Sequence, residues 1–222
     1  MCYYNKIYYM SFKTFDISSL HGTFCQLQLP ILIIGQTNSG RHELCNKIIE
    51  VNKDIPEKLV VLENNQNTEL IKQKYNYPMN FLLNDRDAYD KIISSQMNKC
   101  INHAQDPRLL LIIDCNLSNN KDIAMLLCHA RSYYMTIIVI LHCSDIILPI
   151  QRNSLGYIFI CKIDDYKYKK YLFDTYGDSF KTFDKFIRLV DIIYHNFNAL
   201  VIRQHRCMDL VAEQNNQNVF II

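Results

Sequence analysis

Short, uninterrupted apolar runs alternate with segments of helical periodicity along most of the chain. Such runs are typical of strands buried on both faces, and their alternation with helices predicts an α/β fold with a mostly parallel sheet covered by helices on both faces. The predicted strands are 27–34, 58–62, 109–114, 136–141, 157–161 and 198–202, and the predicted helices are 41–51, 86–104, 121–131 and 181–197. We expect one domain over 27–202, with an N-terminal lead-in over 1–26 and a C-terminal tail over 203–222.

The first predicted strand runs into a glycine-framed loop between Gly35 and His42. Two of the chain's five glycines lie here, with four residues between them, just before a predicted helix. Glycines in this setting let backbone N–H groups wrap phosphates. The pattern therefore predicts a phosphate loop of the P-loop NTPase type, although the motif alone is equally compatible with a strand-to-helix turn without a ligand. The candidate nucleotide-binding residues are Gly35, Thr37, Asn38, Ser39, Gly40, Arg41 and His42.

The side chains that complete a standard phosphate loop are altered. A Lys normally contacts the β- and γ-phosphates and a Ser or Thr holds Mg²⁺, whereas this chain has Arg41 and His42 at those positions. Arg41 keeps the positive charge on a planar, bulkier group. The imidazole of His42 does not replace a hydroxyl on a cation that prefers oxygen. We expect phosphate binding to survive and Mg²⁺-dependent hydrolysis to be lost.

A second polar site is predicted at the end of the strand 109–114. Four apolar residues followed by Asp114 form a Walker B pattern, in which the carboxylate holds Mg²⁺ near the phosphates. A turn or helix-capping residue is the alternative. The next position usually carries an acid that polarises the attacking water, and here it is Cys115. Because parallel strands end at one edge of the sheet, we expect Asp114 and Gly40 to face each other across one cleft.

These pieces, in their order and spacing, resemble the DNA-packaging ATPases of large DNA viruses, of the poxvirus type, within the FtsK–HerA superfamily of P-loop NTPases. They are more loosely similar to the adenovirus packaging ATPase. The resemblance covers roughly 31–202. Its further elements are Arg131-Ser132-Tyr133 before a strand, His142 after that strand, and Leu148-Pro149 with Arg152-Asn153 before the strand at 157–160.

The family pattern leaves the Walker B register open. Relatives often have Asp-acid-Cys at this motif, so that Asp114 and Cys115 match its last two residues in one alignment. In that alignment Ile113 replaces the first acid. One carboxylate is missing in either register.

The resemblance implies a nucleotide-binding protein of viral genome packaging, with ATP and Mg²⁺ as cofactors. It implies Asp114 as catalytic and metal-binding residue, His142 as γ-phosphate sensor and Arg152 as an arginine finger toward a neighbouring subunit. The alternative for His142 is a histidine at a strand end whose hydrogen bonds are made within the protein. The alternative for Arg152 is an exposed loop arginine. The partners implied are further copies or other packaging subunits, and double-stranded DNA. The implied location is the cytoplasm or nucleus of an infected host cell, or the virion.

The altered motifs leave two functional hypotheses. In the first, the chain binds nucleotide and acts in DNA translocation or packaging with weak or lost hydrolysis. In the second, it is a catalytically inactive structural or regulatory homologue that partners an active packaging ATPase. Three functional side chains are replaced together, as expected where selection on hydrolysis has relaxed.

Charge and composition narrow the classes of partner. The net charge is +2, so any DNA contact has to come from a local patch. The lysines at 162, 167, 169 and 170 are interspersed with Asp164 and Asp165, which favours a solvated surface. Nine cysteines without a CxxC pair predict buried, reduced thiols. No apolar run approaches the roughly 20 residues of a membrane span, so we expect no membrane association.

Overall fold

The computed structural model describes residues 13–18, 20, 29–62, 72–84, 86–115, 121–145, 147–177, 180–195, 198–203 and 219–221. The strands are β1 (Lys13–Thr14), β2 (Ile31–Gly35), β3 (Glu57–Leu62), β4 (Asn80–Leu83), β5 (Leu109–Asp114), β6 (Met135–His142), β7 (Tyr157–Ile160), β8 (Leu200–Arg203) and β9 (Val219–Ile221). The helices are α1 (Arg41–Val51), α2 (Arg86–Ile101), α3 (Lys121–His129), α4 (Pro149–Asn153), α5 (Tyr166–Tyr176) and α6 (Phe183–His195).

The strands form one sheet in the order β1-β9-β8-β7-β2-β6-β5-β3-β4. Within the described chain, β8 is antiparallel to both of its neighbours and all other paired strands are parallel. The central strands β2, β5 and β7 are buried at every position, as expected for continuous apolar runs. The predicted mostly parallel α/β fold is confirmed.

The two faces of the sheet have different covers. Helices α2, α3, α5 and α6 contribute to one hydrophobic cluster, which includes Leu111 and Ile113 of β5. Helix α1 covers the other face with Phe15, Leu20 and Tyr75, against the alternate β5 residues. Because strand side chains alternate between the two faces, the even-numbered residues of β5 face α1. Asp114 is the last of these residues, so its side chain lies on the α1 side of the sheet, beside the phosphate loop.

Helix α1 begins and ends where the sequence predicts, and most other elements agree within a few residues. Helix α2 stops at Ile101, so the predicted continuation of this helix to 104 is wrong. The prediction that 198–202 holds the last strand is also wrong, because β9 follows it and pairs with β8. Strands β1 and β9 thus extend the sheet beyond 27–202, while the domain limits stay a prediction.

Five of the described elements were not predicted from sequence: strands β1, β4 and β9 and helices α4 and α5. Helix α5 is rich in Tyr and Lys and buries Leu172 and Tyr176, so its apolar stripe is short. Strand β4 pairs with β3 at the edge of the sheet, and none of its side chains is fully buried. No helix in the described part of the chain is long and apolar enough to span a membrane.

The cysteines inside apolar runs behave as predicted. Cys115, Cys143 and Cys161 are buried thiols outside any disulfide, as is Cys45, whereas Cys128 is exposed and Cys100 only partly buried, so the prediction of buried thiols is wrong for those two. Burial raises the pKa of Cys161 to about 12. Such a thiol stays protonated at neutral pH and packs as a small apolar group.

Candidate nucleotide-binding site

The predicted phosphate loop lies at the carboxyl edge of the sheet, in its centre. Strand β2 ends at Gly35 and helix α1 begins at Arg41, so residues 36–40 form the connection. Strand β6 separates β2 from β5, and all three are parallel. Ligands of parallel α/β sheets bind beyond this edge. The loop and Asp114 therefore lie on the same edge, as predicted.

The two glycines of the loop have different physical roles. A Cβ on Gly35 would lie 2.4 Å from Ser39 Oγ and 2.8 Å from Cys161 Cβ, so the loop closes against the strand end only with glycine. Gly40 has space around it but a φ of +84°, which L side chains adopt at a cost. Asn38 is also left-handed, at φ 58°. The glycine frame thus produces a tight loop that turns directly into α1.

The loop is tied to the ends of the neighbouring strands. The backbone N–H of Gln36 donates to the backbone carbonyl of Lys162 at 3.1 Å. The Gln36 side chain donates to Asp164 Oδ2 at 2.7 Å and accepts from the Asp164 N–H at 3.0 Å. This hydrogen bond from Gln36 lowers the pKa of Asp164. On the β6 side, Cys143 N–H donates to Gly35 O at 3.0 Å. These bonds anchor the start of the loop, at Gly35 and Gln36, to the ends of both neighbouring strands.

The amino end of α1 presents unpaired backbone donors. The first helical hydrogen bond runs from Leu44 N–H to Gly40 O, and Gly40 supplies no side-chain cap. The amides of Arg41, His42 and Glu43 thus point out of the helix end, where the helix dipole favours an anion. The Ser39 hydroxyl is buried and has no hydrogen-bond partner in the described chain. These donors provide a cradle that fits a phosphate group.

A cavity of about 500 Å³ continues outward from this cradle. Its walls are the loop, the outer surface of α1 and the segment 73–77. Three cationic side chains line it, together with Glu43 and Glu50: Arg41, Lys47 and Lys74. The lining also includes polar side chains, among them those of Asn46 and Asn76. The cavity joins a phosphate-sized cradle to room for a larger polar ligand.

The carboxylate of Asp114 is held by two donors. His42 Nε2 lies 2.9 Å from Asp114 Oδ2, and Tyr75 OH donates to the same oxygen at 3.0 Å. The rings of His42 and Tyr75 meet edge to face with centroids 5.8 Å apart. Asp114 itself is 8% exposed. Burial, and next the charge of Asp114, raises the pKa of Tyr75 well above its usual value, so Tyr75 remains a neutral donor.

Cys115 faces away from this network. It lies in the hydrophobic cluster on the other face of the sheet, with its Sγ 3.8 Å from Tyr89 OH, and is 3% exposed. A buried thiol on that face cannot accept a proton from a water molecule at the phosphate loop. The position after Asp114 is therefore structural in this chain.

The described residues do not fit a magnesium ion held in the usual way. The hydroxyl ligand of the phosphate loop is replaced by His42, and Asp114 Oδ2 already accepts two hydrogen bonds. Among the described residues there is no group of three or more His, Cys, Asp or Glu that could hold a metal. Mg²⁺ at such sites is held by one or two protein oxygens together with phosphate oxygens and water. Here the hydroxyl is absent and one oxygen of the Asp114 carboxylate is already hydrogen-bonded.

His142 and Arg152 lie in different places. His142 pairs in register with Gly35, and its Nδ1 is 2.7 Å from Ser144 Oγ. Arg152 lies in α4, just before the amino end of β7, where Gly156 N–H donates to Pro30 O at 2.8 Å. The structure therefore brings His142 to the edge of the phosphate loop but not Arg152. Their sensor and arginine-finger roles stay predictions.

The lysine-rich region around α5 is largely neutralised by acids. Lys169 pairs with Asp191 at 2.6 Å, Lys170 with Asp174 at 2.7 Å and Lys162 with Asp164 at 3.5 Å. These pairs support the solvated surface expected from sequence.

Tyr75 and Gln36 were not predicted as site residues. Tyr75 reaches Asp114 from 39 positions away, and Gln36 meets Asp164 across 128 positions. No local periodicity encodes such contacts. The only sequence signal for Gln36 is its place immediately after the first glycine of the loop.

The sheet order, the glycine-framed loop before α1 and the acid at the end of β5 are those of a P-loop NTPase fold. The loop with its replaced side chains lies where the nucleotide phosphates bind in this class. Comparison with protein families and with curated protein sequences gives no match.

Solved structures share this fold at low sequence identity. The genome packaging NTPase B204 of Sulfolobus turreted icosahedral virus 2, in complex with ATP-γ-S, has a TM-score of 0.54 and 15% identity, covering 88% of this chain and 97% of B204. Its sulfate complex has a TM-score of 0.55 at 12% identity, with 88% and 96% covered. EssC (ATPases 2 and 3) of Geobacillus thermodenitrificans has a TM-score of 0.57 at 12% identity, covering 80% of this chain and 38% of EssC. At these identities the similarity establishes the fold.

Proposed function

We propose that this chain is a nucleotide-binding, genome-packaging ATPase-like protein in which hydrolysis is weak or lost. The observation that carries the proposal is a phosphate loop that keeps its backbone conformation while its catalytic side chains are replaced. Gly35, Gly40 and the free amides of α1 retain the cradle. The hydroxyl position holds His42, and Cys115 faces the opposite side of the sheet. The site thus keeps the groups that bind phosphate and lacks the side chains that normally support hydrolysis.

The cavity beside the loop supports a nucleotide rather than a bare anion. The phosphates would lie against the amides of 40–43, with the guanidinium of Arg41 beside them. The rest of the ligand would extend along α1 toward the segment 73–77. Fold similarity to a packaging NTPase solved with an ATP analogue agrees with this ligand class.

ATP turnover tests the proposal. We expect the purified protein to bind ATP and to turn it over far more slowly than about 1 per second, the lower end of usual enzyme rates. The double change Arg41→Lys with His42→Thr restores the standard loop side chains and is expected to strengthen Mg²⁺–ATP binding. A wild-type rate of about 1 per second or faster contradicts lost hydrolysis. If the protein does not bind ATP, the alternative is favoured, namely a structural or regulatory homologue that partners an active packaging ATPase.

Assembly is part of the same proposal. A subunit with a net charge of +2 has little long-range attraction for DNA, so DNA binding would depend on avidity between subunits. We expect oligomers in sedimentation experiments with DNA and nucleotide. Arg152→Ala is expected to weaken nucleotide-dependent assembly if Arg152 reaches a neighbouring site. A strict monomer under all these conditions would indicate an isolated nucleotide-binding module instead.

A further inference from the structure

We propose that the phosphate loop binds nucleotide without a magnesium ion, because His42 replaces the hydroxyl ligand of the metal and, with Tyr75, engages one oxygen of the Asp114 carboxylate. This inference rests on the proposed function, in that the loop binds nucleotide. It goes further by stating that the site takes nucleotide without Mg²⁺, and that the Tyr75 hydroxyl disfavours the metal by its hydrogen bond to Asp114.

The first argument is the geometry at Asp114. Its Oδ2 accepts from His42 at 2.9 Å and from Tyr75 at 3.0 Å. A magnesium ion lies about 2.0–2.1 Å from its oxygen ligands and tolerates little deviation from an octahedron. An ion on this oxygen would meet two donor hydrogens directed at the same atom. At least one donor has to move away before a metal can bind at this oxygen, and the hydroxyl that would hold the metal beside the phosphates is replaced by His42.

The second argument is the cost of moving Tyr75. The segment that carries it is fixed to α1 through Asn46, whose side chain donates to Lys74 O at 2.6 Å and accepts from Asn76 N–H at 3.2 Å. The Tyr75 ring is buried between His42 and Phe81. A displaced hydroxyl would remain buried without its acceptor, which is unfavourable. The fold therefore stabilises the metal-free arrangement.

The third argument is the charge that the ligand needs. Without a metal, the phosphates must be balanced by the protein. Arg41 supplies a guanidinium group, and Lys47 and Lys74 line the same cavity. Glu43 and Glu50 offset part of this charge, whereas the amino end of α1 adds to it. Three cationic side chains and a helix terminus would together neutralise the phosphate charge that a divalent ion neutralises in the usual site.

Isothermal titration of the full chain with ATP, in MgCl₂ and separately in EDTA, tests the inference. We expect ATP to bind at least as tightly in EDTA as in MgCl₂, because Mg²⁺ withdraws the metal-free nucleotide. Binding more than twofold tighter with Mg²⁺ overturns the inference while leaving nucleotide binding intact. Absence of binding in both buffers instead contradicts the proposed function, so the two failures are distinguishable.

A double variant, His42→Thr with Tyr75→Phe, tests the assigned side chains. Removing both donors frees Asp114 and adds a hydroxyl ligand, so binding should become at least fivefold tighter with Mg²⁺ than with EDTA. Tyr89→Phe is the matched control, because it removes another buried tyrosine hydroxyl on the opposite face of the sheet. The control should bind ATP no tighter with Mg²⁺ than with EDTA, like the wild type. A folded double variant that gains less than a fivefold preference for Mg²⁺ refutes the role of these donors. If the double variant does not fold, Tyr75→Phe alone is judged by the same criterion.

Discussion

Ile193→Ala is expected to lower the free energy of unfolding by about 2–5 kcal/mol, the usual cost of emptying a buried aliphatic site. Ile193 is 1% exposed on α6 and packs in the cluster that covers one face of the sheet. Its neighbour Ile192 is 58% exposed, so Ile192→Ala should change stability by no more than about 0.5 kcal/mol. Urea unfolding of both variants measures the difference. Equal effects would mean that α6 does not face the core as described.

Arg41→Ala is expected to weaken ATP binding by roughly 10- to 100-fold. A hydrogen bond to a charged group contributes about 1.5–3 kcal/mol, and each 1.4 kcal/mol changes affinity tenfold. Arg41 lies at the first position of α1 and lines the cavity next to the loop. The measurement is an equilibrium titration with ATP.

Arg188→Ala provides the charge-matched control for that experiment. Arg188 is exposed on α6, which covers the face of the sheet opposite α1. Its removal should leave ATP affinity unchanged, since it changes net charge without touching the site. If both variants lose affinity equally, long-range charge rather than the loop governs binding.

The central elements of the fold could be predicted because their signals are local. The apolar runs of β2, β5 and β6 are uninterrupted, and Gly40 ends the loop immediately before α1. Helix α5 was missed because most of its residues are Tyr, Lys and Asp, which resemble a solvated charge run. Its burial depends on packing against α6, a tertiary effect that periodicity does not report.

The site was partly predictable for a topological reason. Parallel strands end at one edge of the sheet, so the loop after β2 and the acid at the end of β5 had to approach each other. The contact between His42 and Asp114 follows from this arrangement. Tyr75 was not predictable, because it comes from an irregular segment before β4 whose path no repeat or motif specifies.

The orientation of Cys115 had a usable signal. Side chains along a strand alternate between faces, so the residue after Asp114 faces away from α1 if the strand geometry continues. The contact of Cys115 with Tyr89 on the other face agrees with that rule. Applied to the sequence, the alternation would have identified Cys115 as a packing residue rather than a substitute for the missing acid.

A crystal structure of the full chain with a non-hydrolysable ATP analogue tests the central claim, that this loop binds nucleotide, most directly. The account predicts phosphate oxygens within hydrogen-bonding distance of the amides of Arg41, His42 and Glu43. It also predicts that the remainder of the analogue lies along α1 in the cavity next to Tyr77. An analogue bound elsewhere on the chain, with the amides of α1 free of phosphate at saturating concentration, would contradict it.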